Sequence, residues 1–534
     1  MIPPDPDSLT GFLSGQDRLY SRSPAILDRG ITWTYGDLDE QSRRLATALA
    51  AAGVRKGDRV ALWLPNTPAY LALFFACGHL GAIAVSVNTR YRSHEVADIL
   101  KRSGCCMLVF WPEFKGISFT DILADVPADA LDEIHTIVCF DETSGSAGAL
   151  PLPGKTVVRY GDLCQSPPMQ ETAGKAADPC LIFTTSGTSA APKFVLHSQQ
   201  GLTRHARAVA QGFGYDQPEA LLLQNLPFCG TFGMAQALAT LAAGRPFVNM
   251  LFYDATETVR LMQEHSITHT NGSDVMFSML LKEAQGDRPF PRFQYAGFGG
   301  FNPELGEIVR DAEERGLRLT GIYGMSEVQA LFARQPPGAP LAQRRLAGGR
   351  LIPPGARVRI RHPETGQLLP PGEKGEIELH SPGQMIAYFG DERASRETLT
   401  ADGFVRTGDL GYLDGEGGFV FLSRMGDVLR LGGFLVSPAE IEACLQQHPG
   451  VERAQVVGVH ARGGPAAFAW VVGRNGSPVE ESVLLEHCAR GLAKFKVPVG
   501  IRHLDRFPVT AGPNGEKIQR HKLRDMARQV MAGG

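Results

Sequence analysis

The sequence predicts an α/β protein with two domains: a large N-terminal α/β domain that includes a β-rich subdomain, and a small α+β domain at the C-terminus. Three patterns lead to this fold class. Strand and helix signals alternate over the first hundred residues and again over 220–328, short alternating strands follow from residue 357, and a well-marked helix begins near residue 437. With 534 residues the chain is too long for a single core. We place the boundary near Arg424–Asp427, which gives domains 1–425 and 426–534.

Caps and periodicity define the first elements. Thr34 and Asp37 form a capping-box pattern, with Asp in place of Glu or Gln, at the start of a helix that ends before Gly53. A buried strand, a helix and another strand are predicted at residues 59–64, 67–80 and 82–87, respectively. Strand–helix–strand units with short connections favour parallel strands.

The β-rich subdomain and the C-terminal domain have a different texture. Short strands separated by Pro-Gly, Asp-Gly and Gly-Gly turns are predicted at residues 357–360, 375–379 and 418–422. The later helix has Ser437 as its N-cap, Pro438 as its first residue and Glu440 as the partner in a capping box, and residues 451–459 return as a strand. Two segments richer in Pro, Gly and Ser, 110–178 and 335–350, are expected to be surface excursions.

Composition argues against several classes of protein. The net charge of −3 gives no reason to expect nucleic-acid binding. No apolar run approaches ~18 residues, so no transmembrane helix is expected, and residues 1–11 lack the basic start and apolar core of a signal peptide. The nine cysteines are scattered without a CxxC pair, which favours reduced thiols in a cytoplasmic protein and argues against a cysteine-based metal cluster.

The segment 183–193 (FTTSGTSAAPK) carries the strongest chemical signal. An apolar strand, Cys180–Ile182, opens into a turn that combines hydroxyl groups, backbone N–H groups and one cation, which is what a polyphosphate needs. The candidate phosphate-binding residues are Thr184, Thr185, Ser186, Gly187, Thr188, Ser189 and Lys193. The segment is not a GxxxxGK[ST] loop. On its own it could equally be a polar surface loop.

Further segments follow at 297–302 (GFGGFN), 321–327 (GIYGMSE), 406–409 (RTGD), 423–427 (SRMGD), 432–442 (GGFLVSPAEIE) and 508–520. In this order, and together with 183–193, they resemble the signatures of the adenylate-forming superfamily, which includes acyl-CoA synthetases, luciferases and peptide-synthetase adenylation domains. The resemblance spans residues 31–524. In the first signature Ser189, Ala190 and Phe194 replace Thr, Gly and Gly.

For the nucleoside, the resemblance implies an adenine site made by Gly299, Gly300, Phe301, Tyr323 and Gly324. The ring of Tyr323 offers a plane for stacking. Asp409 is expected to accept both ribose hydroxyls, because a carboxylate accepts two O–H donors, and Arg424 to hold ribose or phosphate. From the residues alone, an ordinary turn at Tyr323 and a surface salt bridge at Arg424 stay open as alternatives.

For the chemistry, the resemblance implies three catalytic residues. Ser326 is expected at the α-phosphate, Glu327 at Mg²⁺, whose preference for hard oxygen ligands suits a carboxylate, and Lys517 between the reacting anions. Gly432 and Gly433 are expected to let the pantetheine of CoA pass close to the backbone; a turn before the next helix is the alternative.

The acyl pocket is expected from residues near the same segments: Gly230, Phe232, Met234, Asn271, Phe298 and Met325. Its apolar character suits an aryl or medium-chain acid. Asn271 and Asp274 could bind a polar group of the substrate or cap the following helix, and capping is favoured slightly. Residues 228–233 lack the Asp that amino-acid adenylation domains use for the α-amine, so an amino-acid substrate is disfavoured.

The resemblance thus implies an AMP-forming carboxylate–CoA ligase that uses ATP, Mg²⁺ and CoA. The C-terminal domain would be mobile and would pivot at Gly426 between two half-reactions. Two alternatives stay open: transfer of the acyl group to a carrier-protein pantetheine or an amine, and a nucleotide-binding sensor without catalysis. The expected partners are small molecules, without nucleic acid, and a homodimer stays open.

Overall fold

The computed structural model describes residues 5–140, 154–185, 192–300, 307–425, 429–431, 434–461, 464–492, 496–512 and 515–532. The elements of the first part of the chain are α1 (Leu9–Tyr20), β1 (Pro24–Asp28), β2 (Ile31–Thr34), α2 (Tyr35–Ala51), β3 (Arg59–Trp63), α3 (Pro68–Leu80), β4 (Ile83–Ser86), α4 (Ser93–Ser103), β5 (Met107–Phe110), β6 (Glu113–Phe114), β7 (Ile117–Ser118), α5 (Phe119–Ala124), β8 (Thr136–Cys139), β9 (Thr156–Arg159) and α6 (Tyr160–Leu163).

The middle part repeats the alternation of strand and helix. Its elements are β10 (Pro179–Thr185), β11 (Lys193–Ser198), α7 (Gln199–Gly212), β12 (Leu222–Gln224), α8 (Thr231–Ala242), β13 (Phe247–Asn249), α9 (Ala255–Glu264), β14 (His269–Ser273), α10 (Asp274–Glu283), β15 (Tyr295–Gly299), α11 (Ile308–Glu314), β16 (Leu319–Met325), β17 (Gln329–Arg334), α12 (Leu341–Arg344) and β18 (Gly348–Leu351).

The remaining elements are richer in strands. They are β19 (Arg357–Arg361), β20 (Gly375–His380), β21 (Ala387–Tyr388), α13 (Glu392–Thr398), β22 (Val405–Leu413), β23 (Gly418–Arg424), β24 (Leu429–Leu431), β25 (Phe434–Val436), α14 (Pro438–Gln446), β26 (Val451–Ala461), β27 (Gly464–Gly473), α15 (Glu481–Gly491), β28 (Ile501–His503), β29 (Val509–Gly512), β30 (Gly515–Ile518) and α16 (Arg520–Ala532).

Two large sheets organise the chain up to Arg424. One has thirteen strands in the order β19, β20, β22, β23, β18, β17, β16, β15, β14, β12, β13, β1 and β2. The other has eight, in the order β21, β11, β10, β4, β3, β5, β8 and β9. Strands β12 to β16 are parallel, whereas β17 to β20, β22 and β23 continue the larger sheet in antiparallel pairs.

The main core lies between the two sheets. Along β3, Val60 and Leu62 face this core and Ala61 and Trp63 face a second one on the opposite side, as the two-residue period of a strand requires. Helix α3 is buried along its whole length between the layers. A third core covers the other face of the larger sheet with helices α9, α10 and α11. Layers of helix on both faces of mostly parallel strands confirm the predicted α/β class.

Beyond Arg424, the three-stranded sheet β26–β27–β28 carries helices on both faces. Val456 and Val471 pack against α14 and α15, and Val457 and Trp470 pack on the side of α16. Strands β29 and β30 pair with each other as a hairpin. The predicted boundary at 425/426 stays a prediction. None of the helices in the described residues is long and apolar enough to span a bilayer.

Several sequence expectations are confirmed, and others are wrong. Thr34 and Asp37 form the predicted capping box. Ser437 is the N-cap residue of α14 as predicted, but its side chain makes no capping bond, and Glu440 pairs with Lys496. The segments expected to be surface excursions contain sheet strands. Strand β8 is fully buried, and β18 lies between β17 and β23 in the larger sheet.

Candidate active site

Three predicted residues meet where the larger sheet changes from parallel to antiparallel. Asp409 on β22 lies opposite Arg424 on β23 in the strand register. The Tyr323 hydroxyl, on β16, donates to Asp409 Oδ2 at 2.5 Å, and Arg424 Nε lies 3.0 Å from Oδ1. We call Tyr323, Asp409 and Arg424 the ribose end of the site. The fold therefore brings Tyr323 to a carboxylate that lies 86 positions later in the sequence.

The carboxyl of Asp409 has an unusually high pKa because it is buried. It is only 3% exposed, and this burial raises the pKa of its carboxyl to about 6, against the opposing effects of the Arg424 charge and the Tyr323 hydrogen bond. Within the described residues, Oδ1 has no hydrogen-bond donor, because the Arg424 contact lacks hydrogen-bond geometry. A buried oxygen without a donor is costly. A ribose hydroxyl could donate the missing hydrogen bond to this oxygen.

The turn that carries Asp409 is fixed by the neighbouring strand β20. Thr407 Oγ1 donates to the Ile377 carbonyl at 2.7 Å and accepts from the Asp409 N–H at 3.0 Å. Glu376 accepts from the Gly408 N–H and forms an ion pair with Arg406 at 2.8 Å. Sequence reasoning missed Glu376, and it included Thr407 in the segment 406–409 without giving it a role. The available signal was a carboxylate inside a predicted strand, where a charge needs a partner.

Tyr323 is packed as well as bonded. Its ring lies edge-on to Phe419, with centroids 5.1 Å apart, and tilted toward Phe421 at 5.8 Å. Tyr323 is therefore held by aromatic neighbours on β23 while its hydroxyl orients Asp409. Stacking of adenine on this ring stays a prediction.

The predicted phosphate loop begins and ends in the smaller sheet. Thr185, at the end of β10, lies opposite Lys193, at the start of β11. The hydroxyls of Thr184 and Thr185 donate to the carbonyls of Ser86 and Lys193 at 3.1 and 3.3 Å. The strand and the positions of these residues agree with the sequence reading. Ser186, Gly187, Thr188 and Ser189 lie outside the described residues.

Glu327 lies in the turn between β16 and β17 of the larger sheet, Lys193 lies on β11 of the smaller sheet, and the two meet through Tyr388. Glu327 is 8% exposed, and its Oε1 accepts from the Tyr388 hydroxyl at 2.6 Å. The Lys193 ammonium lies 4.5 Å from the centroid of the Tyr388 ring. We call Glu327, Lys193 and Tyr388 the phosphate end of the site. Sequence reasoning missed Tyr388, although a hydroxyl-bearing aromatic in the apolar run 385–389 was a visible signal.

Ser326 is placed by two residues that sequence reasoning also missed. Its carbonyl accepts from His197 Nε2 at 2.7 Å, and its hydroxyl lies 3.0 Å from that of Thr231. Burial lowers the pKa of His197 to about 4, so the ring is neutral near pH 7, and Nε2 must carry the proton because a carbonyl only accepts. Thr231 begins α8 directly after Gly230, which links Ser326 to the expected acyl pocket.

The residues expected in the acyl pocket are spread over several elements. Gly230 is the N-cap residue of α8, Phe232 is half-buried, and Met234 is completely buried in the core between the sheets. Phe298 on β15 lies beside Gly321 of β16 in register, and Met325 ends β16. Gly299 ends β15, and Gly300 follows it with an exposed backbone. Phe301 lies outside the described residues.

Asn271 belongs to a closed polar network. Its amide donates to Tyr215 and Gln236 at 2.6 and 2.8 Å, and its Oδ1 accepts from the Gly297 N–H at 3.0 Å. The idea that Asn271 or Asp274 caps the following helix is wrong. The N-cap of α10 is Ser273, whose side chain accepts from the third residue of that helix, and Asp274 is already the first helical residue.

Gly324 marks a close approach of backbones beside Tyr323. A Cβ at this position would lie 2.6 Å from Ala330 Cα, on the antiparallel partner strand β17. No side chain fits there without movement of the main chain. Gly324 therefore sets the spacing between β17 and β16, the strand that carries Tyr323 of the ribose end.

The predicted C-terminal residues are only partly described. Lys517 lies on β30, opposite Thr510 of β29. The chain after it is anchored by Arg520, which pairs with the buried Glu442 at 2.9 Å. Gly426, Gly432 and Gly433 lie outside the described residues.

Comparison with known proteins identifies the family of the chain. Residues 14–389 match the AMP-binding enzyme family, and residues 440–512 match the AMP-binding enzyme C-terminal domain. The chain is 31% identical to a fatty acid–[acyl-carrier-protein] ligase of Streptomyces coeruleorubidus, with 94% of this chain and 93% of the relative covered. It is 30% identical to a feruloyl-CoA synthase of an Amycolatopsis species, with 92% and 94% covered.

A solved structure shows the same fold. It is the o-succinylbenzoate coenzyme A synthetase of Bacillus subtilis in complex with ATP and magnesium ion, with a TM-score of 0.77, 26% identity, and 96% of this chain and 98% of that one covered. The match covers both domains of the family over most of the chain. This protein therefore belongs to the AMP-binding enzyme family of adenylate-forming enzymes.

Proposed function

We propose that this chain is an AMP-forming carboxylate–CoA ligase, which converts an acid and ATP into an acyl-adenylate and then transfers the acyl group to CoA. The observation that carries the proposal is Asp409. It is a buried carboxylate whose Oδ2 accepts from Tyr323 and whose Oδ1 has an ion-pair contact with Arg424 but no hydrogen-bond donor within the described residues. This arrangement suits the ribose of a nucleotide, and the chain that contains it belongs to a family of adenylate-forming enzymes.

The first half-reaction joins two anions. A carboxylate oxygen attacks the α-phosphorus of ATP, the bond from that phosphorus to the bridging oxygen breaks, and pyrophosphate leaves with the electron pair. The protein contributes position and positive charge, as in other transfers at phosphorus. We assign Lys193 to the β- and γ-phosphates, Ser326 to the α-phosphate, and Lys517 to the space between the carboxylate and the α-phosphate.

Glu327 fits a magnesium ligand. Its Oε1 is engaged by Tyr388, and within the described residues no hydrogen bond uses the other oxygen. The described residues contain no group of three or more acidic, His or Cys side chains that could form a cage. One carboxylate is nevertheless sufficient, because Mg²⁺ at nucleotide sites is held by one or two carboxylates together with phosphates and water. Bound there, Mg²⁺ would neutralise charge on the phosphates.

The second half-reaction needs a thiol at the same carbonyl carbon. The thiol sulfur attacks that carbon, the bond to the adenylate oxygen breaks, and AMP leaves. We propose that Gly432 and Gly433 flank the pantetheine and that the C-terminal domain moves about Gly426 between the two steps. CoA is the preferred acceptor because the feruloyl-CoA synthase and the o-succinylbenzoate synthetase use it by name. A carrier-protein pantetheine is the second candidate, favoured by one relative.

The acid is proposed to be apolar, of aryl or medium-chain type. Phe232, Phe298 and Met325 supply apolar surface. Asn271 is less suited to a substrate contact, because both of its amide hydrogens are already used by Tyr215 and Gln236. The proposal includes a cytoplasmic location, which supplies ATP and CoA, and leaves a homodimer to be tested by sedimentation.

A panel of acids tests this function. Pyrophosphate release from ATP is measured with each acid, with and without CoA, and thioester formation is measured in parallel. We expect release with at least one apolar acid, and a thioester only when CoA is present. Release without a CoA thioester would favour a carrier protein or an amine as acceptor, and no release with any acid would favour a nucleotide sensor.

A further inference from the structure

Tyr388 lies between the two groups assigned to the phosphates and the metal. Its hydroxyl donates to Glu327 Oε1 at 2.6 Å, and its ring centroid is 4.5 Å from the Lys193 ammonium. The residue is only 4% exposed. The contact between Tyr388 and the buried Glu327 is therefore made with little competing water, where polar interactions are strengthened, whereas Lys193 is half-buried.

The backbone around Tyr388 is fixed on two sides. Strand β21 pairs with β11, and the Phe389 N–H donates to the Phe194 carbonyl at 2.7 Å. On the other side, the Met385 N–H donates to the main-chain carbonyl of Glu327 at 2.7 Å. The segment 385–389 thus ties the exit of the phosphate loop, in one sheet, to the turn that follows β16, in the other.

We propose that Tyr388 is a positioning residue that sets both Glu327 and Lys193 for MgATP; this rests on the proposed function. The phenol hydrogen occupies one oxygen of Glu327 and directs the other toward the metal. The ring holds the Lys193 ammonium by a cation–π contact, which leaves the N–H groups of that ammonium for phosphate oxygens. One side chain therefore couples the metal ligand to the phosphate cation.

The two contacts have different dependence on magnesium. The hydroxyl acts through Glu327, so its removal matters only when the metal is bound. The ring acts through Lys193, so its removal matters whether or not the metal is bound. A purely structural role of Tyr388 would not separate the two conditions.

Calorimetric binding of ATP, in excess Mg²⁺ and in EDTA, tests this separation. Tyr388→Phe keeps the ring and should weaken binding roughly threefold to tenfold in Mg²⁺, with no change in EDTA. Tyr388→Leu should also weaken binding in EDTA, by roughly threefold or more. Thermal unfolding checks that each variant is folded, and Tyr388→Met replaces the leucine variant if that one is unstable.

Tyr35→Phe is the matched control. It also removes one hydroxyl from a fully buried tyrosine, whose bonds go to the carbonyls of Leu241 and Arg245 between α2 and α8. This variant should bind ATP as the wild type does in both conditions. If Tyr388→Phe changes binding equally in Mg²⁺ and EDTA, or in neither, the coupling role is wrong.

The outcome can be separated from the fate of the proposed function. A wild-type protein that binds MgATP but releases no pyrophosphate with any acid would overturn the ligase proposal and still allow the Tyr388 test. A wild type that binds ATP in neither condition would overturn both. If Tyr388→Leu binds ATP in EDTA as tightly as Tyr388→Phe does, the proposed role of the contact between the Tyr388 ring and Lys193 is wrong.

Discussion

The ribose end and the phosphate end of the site are assembled in different ways. At the ribose end, Asp409 and Arg424 face each other across two hydrogen-bonded strands, and Tyr323 reaches them from the same sheet. At the phosphate end, Glu327 lies in a turn that joins two strands of the larger sheet, Lys193 lies on a strand of the smaller sheet, and they meet through the side chain of Tyr388.

This difference shows that the two ends of the site depend on different features of the fold, namely strand register and sheet packing. Strand register fixes the ribose end, since a one-residue slip would turn Asp409 to the opposite face. The phosphate end depends on how the two sheets pack against each other. We therefore expect the ribose end to tolerate changes in core packing better than the phosphate end does.

The largest predicted effect concerns a residue that belongs to neither end. Lys517→Ala should lower adenylate formation by at least ~10²-fold, because neither end supplies a cation between the carboxylate and the α-phosphate. Thioester formation from a supplied acyl-adenylate should be affected much less, since that step does not join two anions. Pyrophosphate release and thioester formation are measured separately on one preparation.

Lys522→Ala is the control for this experiment. Lys522 is an exposed lysine on α16, five positions further along the chain, and it should behave like the wild type in both half-reactions. Equal losses in the two half-reactions of the Lys517 variant would contradict its assigned role.

The second prediction tests the ribose end alone. Asp409→Asn should raise KM for ATP roughly tenfold to a hundredfold at pH 8, because a charged acceptor is replaced by a neutral amide. In the wild type, KM should rise as the pH falls through about 6, where the carboxyl takes up a proton. The Asn variant should lack this inflection, which separates the effect from the protonation of ATP itself.

The same carboxylate predicts an opposite effect on stability. Burial raises the pKa of Asp409 from 3.8 to about 6, so the native state binds this proton more tightly than the unfolded chain does. The stabilising contribution is complete below pH 3.8 and is lost as the pH rises through about 6. The difference between the unfolding temperatures of Asp409→Asn and the wild type should therefore shift in favour of the variant as the pH rises from 4 to 7. A difference that does not change with pH would show that the pKa is not raised.

Sequence reasoning found most of the fold because its signals were local. The capping box at Thr34 and the alternation of strands and helices need only neighbouring residues. Strand β18 was missed because it begins with two glycines and looked like a loop. Those glycines are required by the sheet: a Cβ at Gly348 or Gly349 would lie 2.2 Å from a carbonyl oxygen of a neighbouring strand.

The candidate site divides along the same line. Asp409, Arg424 and Glu327 were identified from short motifs, whereas Tyr388, His197 and the other partners were not. Their contacts join residues 61 and 129 positions apart, in each case a strand residue to the turn between β16 and β17, and no local pattern records such a pairing. Which residues become partners depends on how the two sheets pack against each other, and this packing cannot be read from a single sequence.

The third prediction asks how far the ribose end depends on strand spacing. Gly324→Ala places a Cβ 2.6 Å from Ala330 Cα, so β16 and β17 must move apart. We expect a loss of about 1–3 kcal/mol in the free energy of unfolding, measured by urea denaturation, together with weaker ATP binding. Gly300→Ala, whose Cβ would lie 3.8 Å from the Phe298 ring, should leave stability unchanged. Equal stability of the two variants would show that the strands adjust without cost.

The smallest expected effect lies where the acyl pocket borders the phosphate end. Gly230 precedes Thr231, whose hydroxyl lies 3.0 Å from that of Ser326. A Cβ at position 230 would make only an ordinary contact, 3.5 Å from the Pro227 carbonyl oxygen, so Gly230→His should fold normally.

The imidazole of Gly230→His should narrow the entrance to the acyl pocket and shift kcat/KM toward smaller acids, by roughly tenfold for each methylene group that no longer fits. The measurement is kcat/KM over a series of acids of increasing length, with Gly338→His, at an exposed position with open space around it, as the control. An unchanged preference would mean that Gly230 only starts helix α8 and that the acid enters elsewhere; a shift seen without any change in ATP affinity would show that the acyl pocket can be altered independently of the phosphate end.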